Sequence, residues 1–256
     1  MTMLEIDNLS AGYGGRPVIT QISACFGGGQ VVSVIGPNGS GKSTLFKAVM
    51  GLCRVSAGVV RLDGKTAAET GERLFAQKVS YLPQIRSAGA LTAGRMVLHG
   101  RFPWLSCPRH YRKEDYERCD SAMERLGISK LRDVQMDALS GGERQKVYLA
   151  MALAGDTEYF LFDEPATYLD VRHQVELAAL MQELGRQGKT VTAVLHDINS
   201  ALQISDRIVV MCRGRIVAEG APEEIYESGV LQEVFGVKVR RLVDGDGKAY
   251  YIASGL

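Results

Sequence analysis

The stretch "GPNGSGKST", residues 36–44, fits the pattern G-x-x-x-x-G-K-[ST]; an apolar run, "VVSVI", precedes it and a helical pattern follows. Glycines at this spacing let backbone N–H groups curl around phosphate oxygens. Gly36, Pro37, Asn38, Gly39, Ser40, Gly41 and Thr44 build such a loop, Lys42 is placed to reach the β- and γ-phosphates, and Ser43 offers a hydroxyl to Mg²⁺. A nucleoside triphosphate site is expected here. In "YFLFDE", 159–164, four large apolar residues end in two carboxylates. That pattern describes a buried strand releasing Asp163 and Glu164 at the edge of a parallel sheet, where ligands bind. Asp163 suits Mg²⁺ coordination; Glu164 suits polarising an attacking water.

Two further polar residues end predicted strands. His196 closes "VTAVLHD" and could touch the γ-phosphate; Gln84 closes "KVSYLPQ" and could ligate Mg²⁺ or orient water. A structural role stays open for each. Tyr13, in the glycine-rich "SAGYGG", could stack on adenine or pack on its own hairpin. "SGGERQKVYLA", 140–150, reads as a helix start, with Ser140 as cap and Glu143 completing a capping box. Gly141 and Gly142 lie between them. A capped, glycine-rich helix start offers N–H groups and a positive dipole end to an anion. Yet no lysine follows the glycines to hold one, and the phosphate loop stands elsewhere.

The elements that must position these groups follow from apolar periodicity. Residues 3 to 35 read as short strands, and 42–52 as a helix with Leu45, Val49 and Leu52 on one face. "GVVRLDGK" and "KVSYLPQ" are strands. Residues 88–153 carry several helical stretches and little strand signal, after which strands and helices alternate again. "SDRIVVMCRGRIVAEG" reads as a hairpin turning at Arg213–Gly214, and the end of the chain as a hairpin with a DGDG turn.

The bulk numbers agree. With 256 residues, 46% hydrophobic and 23% charged, the composition is that of a globular chain. A net charge of +1 supplies no field favouring nucleic acid or acidic lipid. The cysteines at 25, 53, 107, 119 and 212 have no metal-type or redox-type spacing and read as unpaired thiols in a reducing compartment. The N-terminus lacks an apolar signal core, and no apolar stretch approaches the roughly 18–20 residues that span a bilayer. A cytoplasmic protein is expected, with any membrane role supplied by a partner.

Taken in order, these motifs resemble those of the ATP-binding cassette (ABC) family of transport ATPases: "GPNGSGKST" its Walker A loop, "YLPQ" its Q-loop, "LSGGERQ" its signature, "YFLFDEP" its Walker B strand, "TYLD" its D-loop with Asp170, and "LHD" its switch histidine. The resemblance implies an α/β fold: a P-loop NTPase core with a mixed, mostly parallel sheet, an N-terminal antiparallel β subdomain and an inserted α-helical subdomain. Residues 1–256 would form one ATPase domain. It would comprise 1–87 (β subdomain and Walker A core), 88–153 (helical insertion with signature), 154–220 (remainder of the core) and 221–256 (C-terminal helix and hairpin). It also implies ATP and Mg²⁺, with Glu164, His196 and Gln84 as catalytic residues and Ser43, Gln84 and Asp163 around the metal. In the family two cassettes pack head to tail, so Ser140, Gly141, Gly142 and Glu143 would face the ATP of a second copy.

A narrower resemblance, in "VLHGRFPW", "EPATYLDVRHQVEL" and the "LHDINSALQISDRIVVMCRGRIVAEGAPEEI" region, is to importers of ferric siderophores, haem and cobalamin. Ala166–Thr167 departs mildly from that pattern. This branch implies a homodimer of the cassette, two copies of a many-helix membrane permease, an extracytoplasmic substrate-binding protein, no nucleic acid, and a peripheral place on the cytoplasmic face of the membrane. Arg101, Phe102 and Trp104, just after the Q-loop, are the expected permease contacts; filling the helical subdomain's core is the alternative for these aromatics. Soluble ABC ATPases acting on nucleic acid or ribosomes, and importers of another metal or cargo, are the alternative readings.

Overall fold

Strands buried on both faces read as continuous apolar runs, and the central sheet is built from such runs. The computed structural model describes residues 3–84, 90–247 and 249–255. In chain order the elements are β1 (Met3–Tyr13), β2 (Arg16–Gly27), β3 (Val31–Ile35), α1 (Lys42–Val49), β4 (Arg54–Leu62), β5 (Lys65–Thr66), α2 (Ala67–Thr70), α3 (Glu72–Lys78), β6 (Val79–Leu82), α4 (Ala93–Leu98), α5 (Lys113–Arg125) and α6 (Gly141–Ala154). There follow β7 (Tyr159–Asp163), α7 (Val171–Arg186), β8 (Thr190–Val194), α8 (Ile198–Ile204), β9 (Arg207–Cys212), β10 (Arg215–Gly220), α9 (Pro222–Glu227), α10 (Val230–Phe235), β11 (Val237–Val243) and β12 (Ala249–Gly255).

The main sheet has the order β10-β9-β3-β8-β7-β6, parallel except for β10, which returns antiparallel to β9. Alternate residues of its strands feed two cores. Val32, Val34, Tyr159, Leu161, Val209 and Met211 face α1 and a separate antiparallel sheet, β2-β1-β4-β5. Ile35, Phe160, Phe162, Ala193, Ile208 and Val210 face the helices. This is the expected α/β P-loop NTPase architecture: a mixed, mostly parallel sheet, an N-terminal antiparallel sheet and an inserted helical layer in which α4 and α5 pack on α6. The expected division between residues 87 and 88 lies outside the described residues. Leu52 departs from its expected place: α1 ends at Val49, and Leu52 is exposed beyond it.

Arg101 was expected at the surface and is instead buried, with 5% of its surface exposed. It sits in the 3₁₀ turn His99–Trp104. Its Nε donates to Asp115 Oδ1 at 2.8 Å, Nη1 donates to the carbonyls of Ala154 (3.3 Å) and Gly155 (3.5 Å), and the guanidinium lies 4.9 Å from the Trp104 ring centre. Arg101 thereby joins the segment after α4 to α5 and to the end of α6. Asp115 also accepts from the Arg112 N–H at 2.9 Å, at the start of α5. Burial acts to raise the Asp115 carboxyl, but the Arg112 N–H and the Arg101 guanidinium outweigh it and hold it below the usual carboxylate range.

Removing one member of a buried ion pair strands the other. Arg101→Leu should therefore lose on the order of 3–5 kcal/mol in urea unfolding. Because the folded Asp115 value is depressed, its contribution is fully present above the unfolded value and is lost as pH falls through the folded one. The stability gap between wild type and Asp115→Asn should thus narrow below about pH 4.

Candidate functional site

The strands β3, β6, β7 and β8 run parallel, so their C-terminal ends share one edge of the sheet. A cleft of about 460 Å³ opens there, lined by Val18, Asn38, Gly39, Gly41, Lys42, Ser43, Thr44, Gln84, Glu164 and His196. Five stretches far apart in the chain are thus brought together. The phosphate loop leaves β3 and enters α1 through Gly41, whose φ of +100° and whose Cβ position, 2.6 Å from Ile19 Cγ2, exclude a side chain. Lys42 Nζ donates to the carbonyls of Gly36 (2.7 Å) and Pro37 (3.0 Å), two of an ammonium's three donors. Burial lowers the Lys42 pKa, and the carboxylates of Glu164 and Asp163 oppose that shift.

Asp163 is fully buried at the tip of β7 and accepts from Ser43 Oγ at 2.9 Å. Burial pushes its carboxyl up from the ordinary value, Glu164 adds to this, and the Ser43 hydroxyl pulls it back. A buried carboxylate, a hydroxyl beside it and the Gln84 side chain in the same cleft form a hard-oxygen set that suits Mg²⁺. The next residue, Glu164, has φ +52°, a conformation that L side chains adopt at a cost. Its Oε1 lies 2.6 Å from His196 Nε2. The pair stands opposite Lys42, so a carboxylate able to take a proton and an imidazole able to hold it in place share one cleft with a phosphate-binding loop.

Tyr13 does not line the cleft. It lies half-exposed at the end of β1, with Lys47 of α1 5.9 Å from its ring centre, so an open ring face stands near the loop's helix. Sequence reasoning missed two supports. Val18 of β2 forms part of the cleft wall. Gly214, in the turn between β9 and β10, donates its N–H to Ser40 O at 3.0 Å and accepts from Thr20 N at 2.9 Å, bracing the loop from below. Only the Arg213–Gly214 turn signal pointed toward it.

None of Ser140, Gly141, Gly142 and Glu143 lines the cleft of its own chain. The capping box is formed: Glu143 N–H donates to Ser140 Oγ (3.3 Å) and Ser140 N–H to Glu143 Oε2 (2.9 Å). Asp170 caps α7, accepting from His173 N at 2.9 Å. Tyr168, with φ +68° and 77% exposed, projects beside the signature glycines. Near the far end of the helical layer, Phe102 (46% exposed) and Trp104 (40%) stay at the surface, unlike Arg101. Arg73 and Gln77 of α3 hold their backbone, both donating to Pro103 O, at 2.9 and 2.8 Å.

Residues 19–167 match the family model described as ABC transporter. The chain is 37% identical over 237 residues to the ferric enterobactin transport ATP-binding protein FepC of Escherichia coli, covering 92% of this chain and 88% of that one. It is 38% identical over 234 residues to the hemin import ATP-binding protein HmuV of Rhodococcus jostii, covering 91% and 80%. Among solved structures, a nucleotide-free ATP-binding cassette from an ABC transporter shares the fold, with a TM-score of 0.80 at 24% identity, over 92% of this chain and 98% of that one.

Lys42→Ala should raise the dissociation constant of a fluorescent ATP analogue by at least about tenfold, the loss expected for charged hydrogen bonds to phosphate. The thermal melt should stay cooperative, because among the described residues the hydrogen bonds of Lys42 go to its own loop.

Proposed function

The chain belongs to the ABC transporter family, and from that membership we propose that it is the ATP-hydrolysing subunit of an importer for an iron–siderophore or haem type of cargo. The observation that carries the catalytic part is the Glu164–His196 pair, 2.6 Å apart, in one cleft with Lys42 and Ser43. The names of the relatives FepC and HmuV support the cargo class.

In this reading the phosphate loop binds the triphosphate, with Lys42 on the β- and γ-phosphates and Tyr13 against the adenine. Mg²⁺, when bound, neutralises charge on the phosphate oxygens; Ser43, Asp163 and Gln84 are the residues that would hold it. Glu164 takes the proton from the attacking water, and His196 keeps the carboxylate aimed. The Ser140–Glu143 helix start lies outside its own cleft, so it serves the cleft of a second cassette. A head-to-tail pair with two-fold symmetry then completes two sites at once. No helix among the described residues is long and apolar enough to cross a membrane. In this reading the cassette acts from the cytoplasmic face through two permease copies, with an extracytoplasmic binding protein delivering cargo, as its import relatives' names suggest. Phe102 and Trp104 are the permease contacts; Arg101 acts beneath them, fixing the turn that displays them.

Glu164→Gln keeps shape and loses the base. Hydrolysis should fall by roughly 10²–10⁴-fold, while gel filtration with Mg-ATP shows a long-lived dimer; near wild-type turnover would remove Glu164 from this role. Phe102→Glu should leave the ATPase activity of the isolated cassette intact and abolish co-purification with the permease and cargo uptake. Normal assembly would place the contact elsewhere.

A further inference from the structure

Gln145 lies in the second turn of α6, past the capping box, with 3% of its surface exposed. Its side-chain Nε2 donates to the carbonyl oxygen of Pro165. That carbonyl belongs to the peptide immediately beyond Glu164 and Pro165, where the chain leaves β7. Glu164 holds a left-handed φ of +52°, which persists only when the surroundings over-determine it. On its N-terminal side the β7–β8 ladder fixes Asp163, which pairs with Val194. On its C-terminal side the proline ring fixes one dihedral of residue 165. The next peptide is fixed by Gln145. Tyr168 also rests against the start of α6: a Cβ on Gly141 would lie 3.4 Å from Tyr168 Cβ.

We propose that Gln145 is a positioning residue for hydrolysis, its side-chain amide holding the Pro165 peptide so that Glu164 keeps its left-handed backbone and presents its carboxylate 2.6 Å from His196. The proposal rests on Glu164 acting as the base. Without the amide, the buried Pro165 carbonyl loses its donor, and residues 164–165 relax toward negative φ at Glu164. The carboxylate then swings away from His196 and from the water it must deprotonate. The phosphate loop is untouched, so nucleotide binding is unchanged.

The test is Gln145→Met, which keeps length and apolar volume and removes the donor. Its kcat for ATP should fall by about tenfold or more, with KM and the dissociation constant of a fluorescent ATP analogue within about twofold of wild type. A double-mutant cycle separates positioning from general loosening. If Gln145 acts through Glu164, adding Glu164→Gln to Gln145→Met lowers single-turnover hydrolysis less than Glu164→Gln does in the wild type. Should Gln145→Met not fold, Gln145→Glu, which sets an acceptor against the Pro165 carbonyl, is read in the same cycle. A wild-type kcat in the folded variant, a matching loss of nucleotide affinity, or strictly additive effects would overturn the proposal. Glu164→Gln alone marks the other failure. If it hydrolyses normally, the base assignment is wrong; if it is inactive while Gln145→Met is normal, only the tie is wrong.

Discussion

The site depends first on the hydrogen-bonded register of parallel strands. Leu82 pairs with Phe162, Asp163 with Val194, and Val34 also with Val194. The three strands flanking one another around β8 therefore end at one edge, as does β6. Gly36, Gln84, Glu164 and His196 meet because each lies just past the end of its strand. A slip of one residue would exchange the two faces of any strand, burying the wrong alternate set. Since both faces already carry dedicated cores, with Phe160 and Phe162 on one side and Tyr159 and Leu161 on the other, the register is strongly specified.

On that edge the loop and the tip of β7 are held by contacts from other layers. The antiparallel sheet supplies Val18 and Ile19 against the loop, and the β9–β10 turn supplies Gly214 beneath it. The strained backbone at Glu164 is bounded by the β7–β8 ladder, by Pro165 and by the α6 side chain of Gln145. Strain at a functional residue costs on the order of 1–3 kcal/mol and needs such enclosure to persist. The enclosure is also a link. The helix whose capped start lies outside its own cleft is the helix whose Gln145 reaches the peptide just beyond β7.

The helical layer presents two surfaces built in different ways. The signature start is polar, glycine-rich and capped by its own Ser140–Glu143 pair, leaving its backbone free to approach another molecule. The surface at Phe102 and Trp104 is aromatic and rests on a buried cation. Arg101 is satisfied by Asp115 and two backbone carbonyls, so its charge is spent inside the layer and contributes rigidity to the turn rather than attraction at the surface. The arrangement separates display from support within six residues of 3₁₀ turn.

Much of this was legible in the chain alone, because the information is local. The phosphate loop, the strand-end carboxylates, the Ser140–Glu143 capping box and the Arg213–Gly214 turn are each written in a few contiguous residues whose backbone preferences and side-chain reach specify the geometry. The continuous apolar runs "VVSVI" and "YFLFD" likewise announced strands covered on both faces. The tertiary structure alone decided the rest. "HGRFPW" carries no mark telling that Arg101 turns inward while Phe102 and Trp104 stay out; the choice follows from Asp115 waiting on a different helix. Val18 lines the cleft from a strand with no motif, Gly214 braces the loop from a turn whose sequence shows only that it turns, and Gln145, at the end of "LSGGERQ", reaches the Pro165 carbonyl, a contact that stretch does not announce. Tyr13, which had one, stands beside the cleft rather than in its wall. These placements come from packing between elements distant in sequence, where the partner that satisfies a buried polar group, and so fixes its direction, is known only once the layers are assembled.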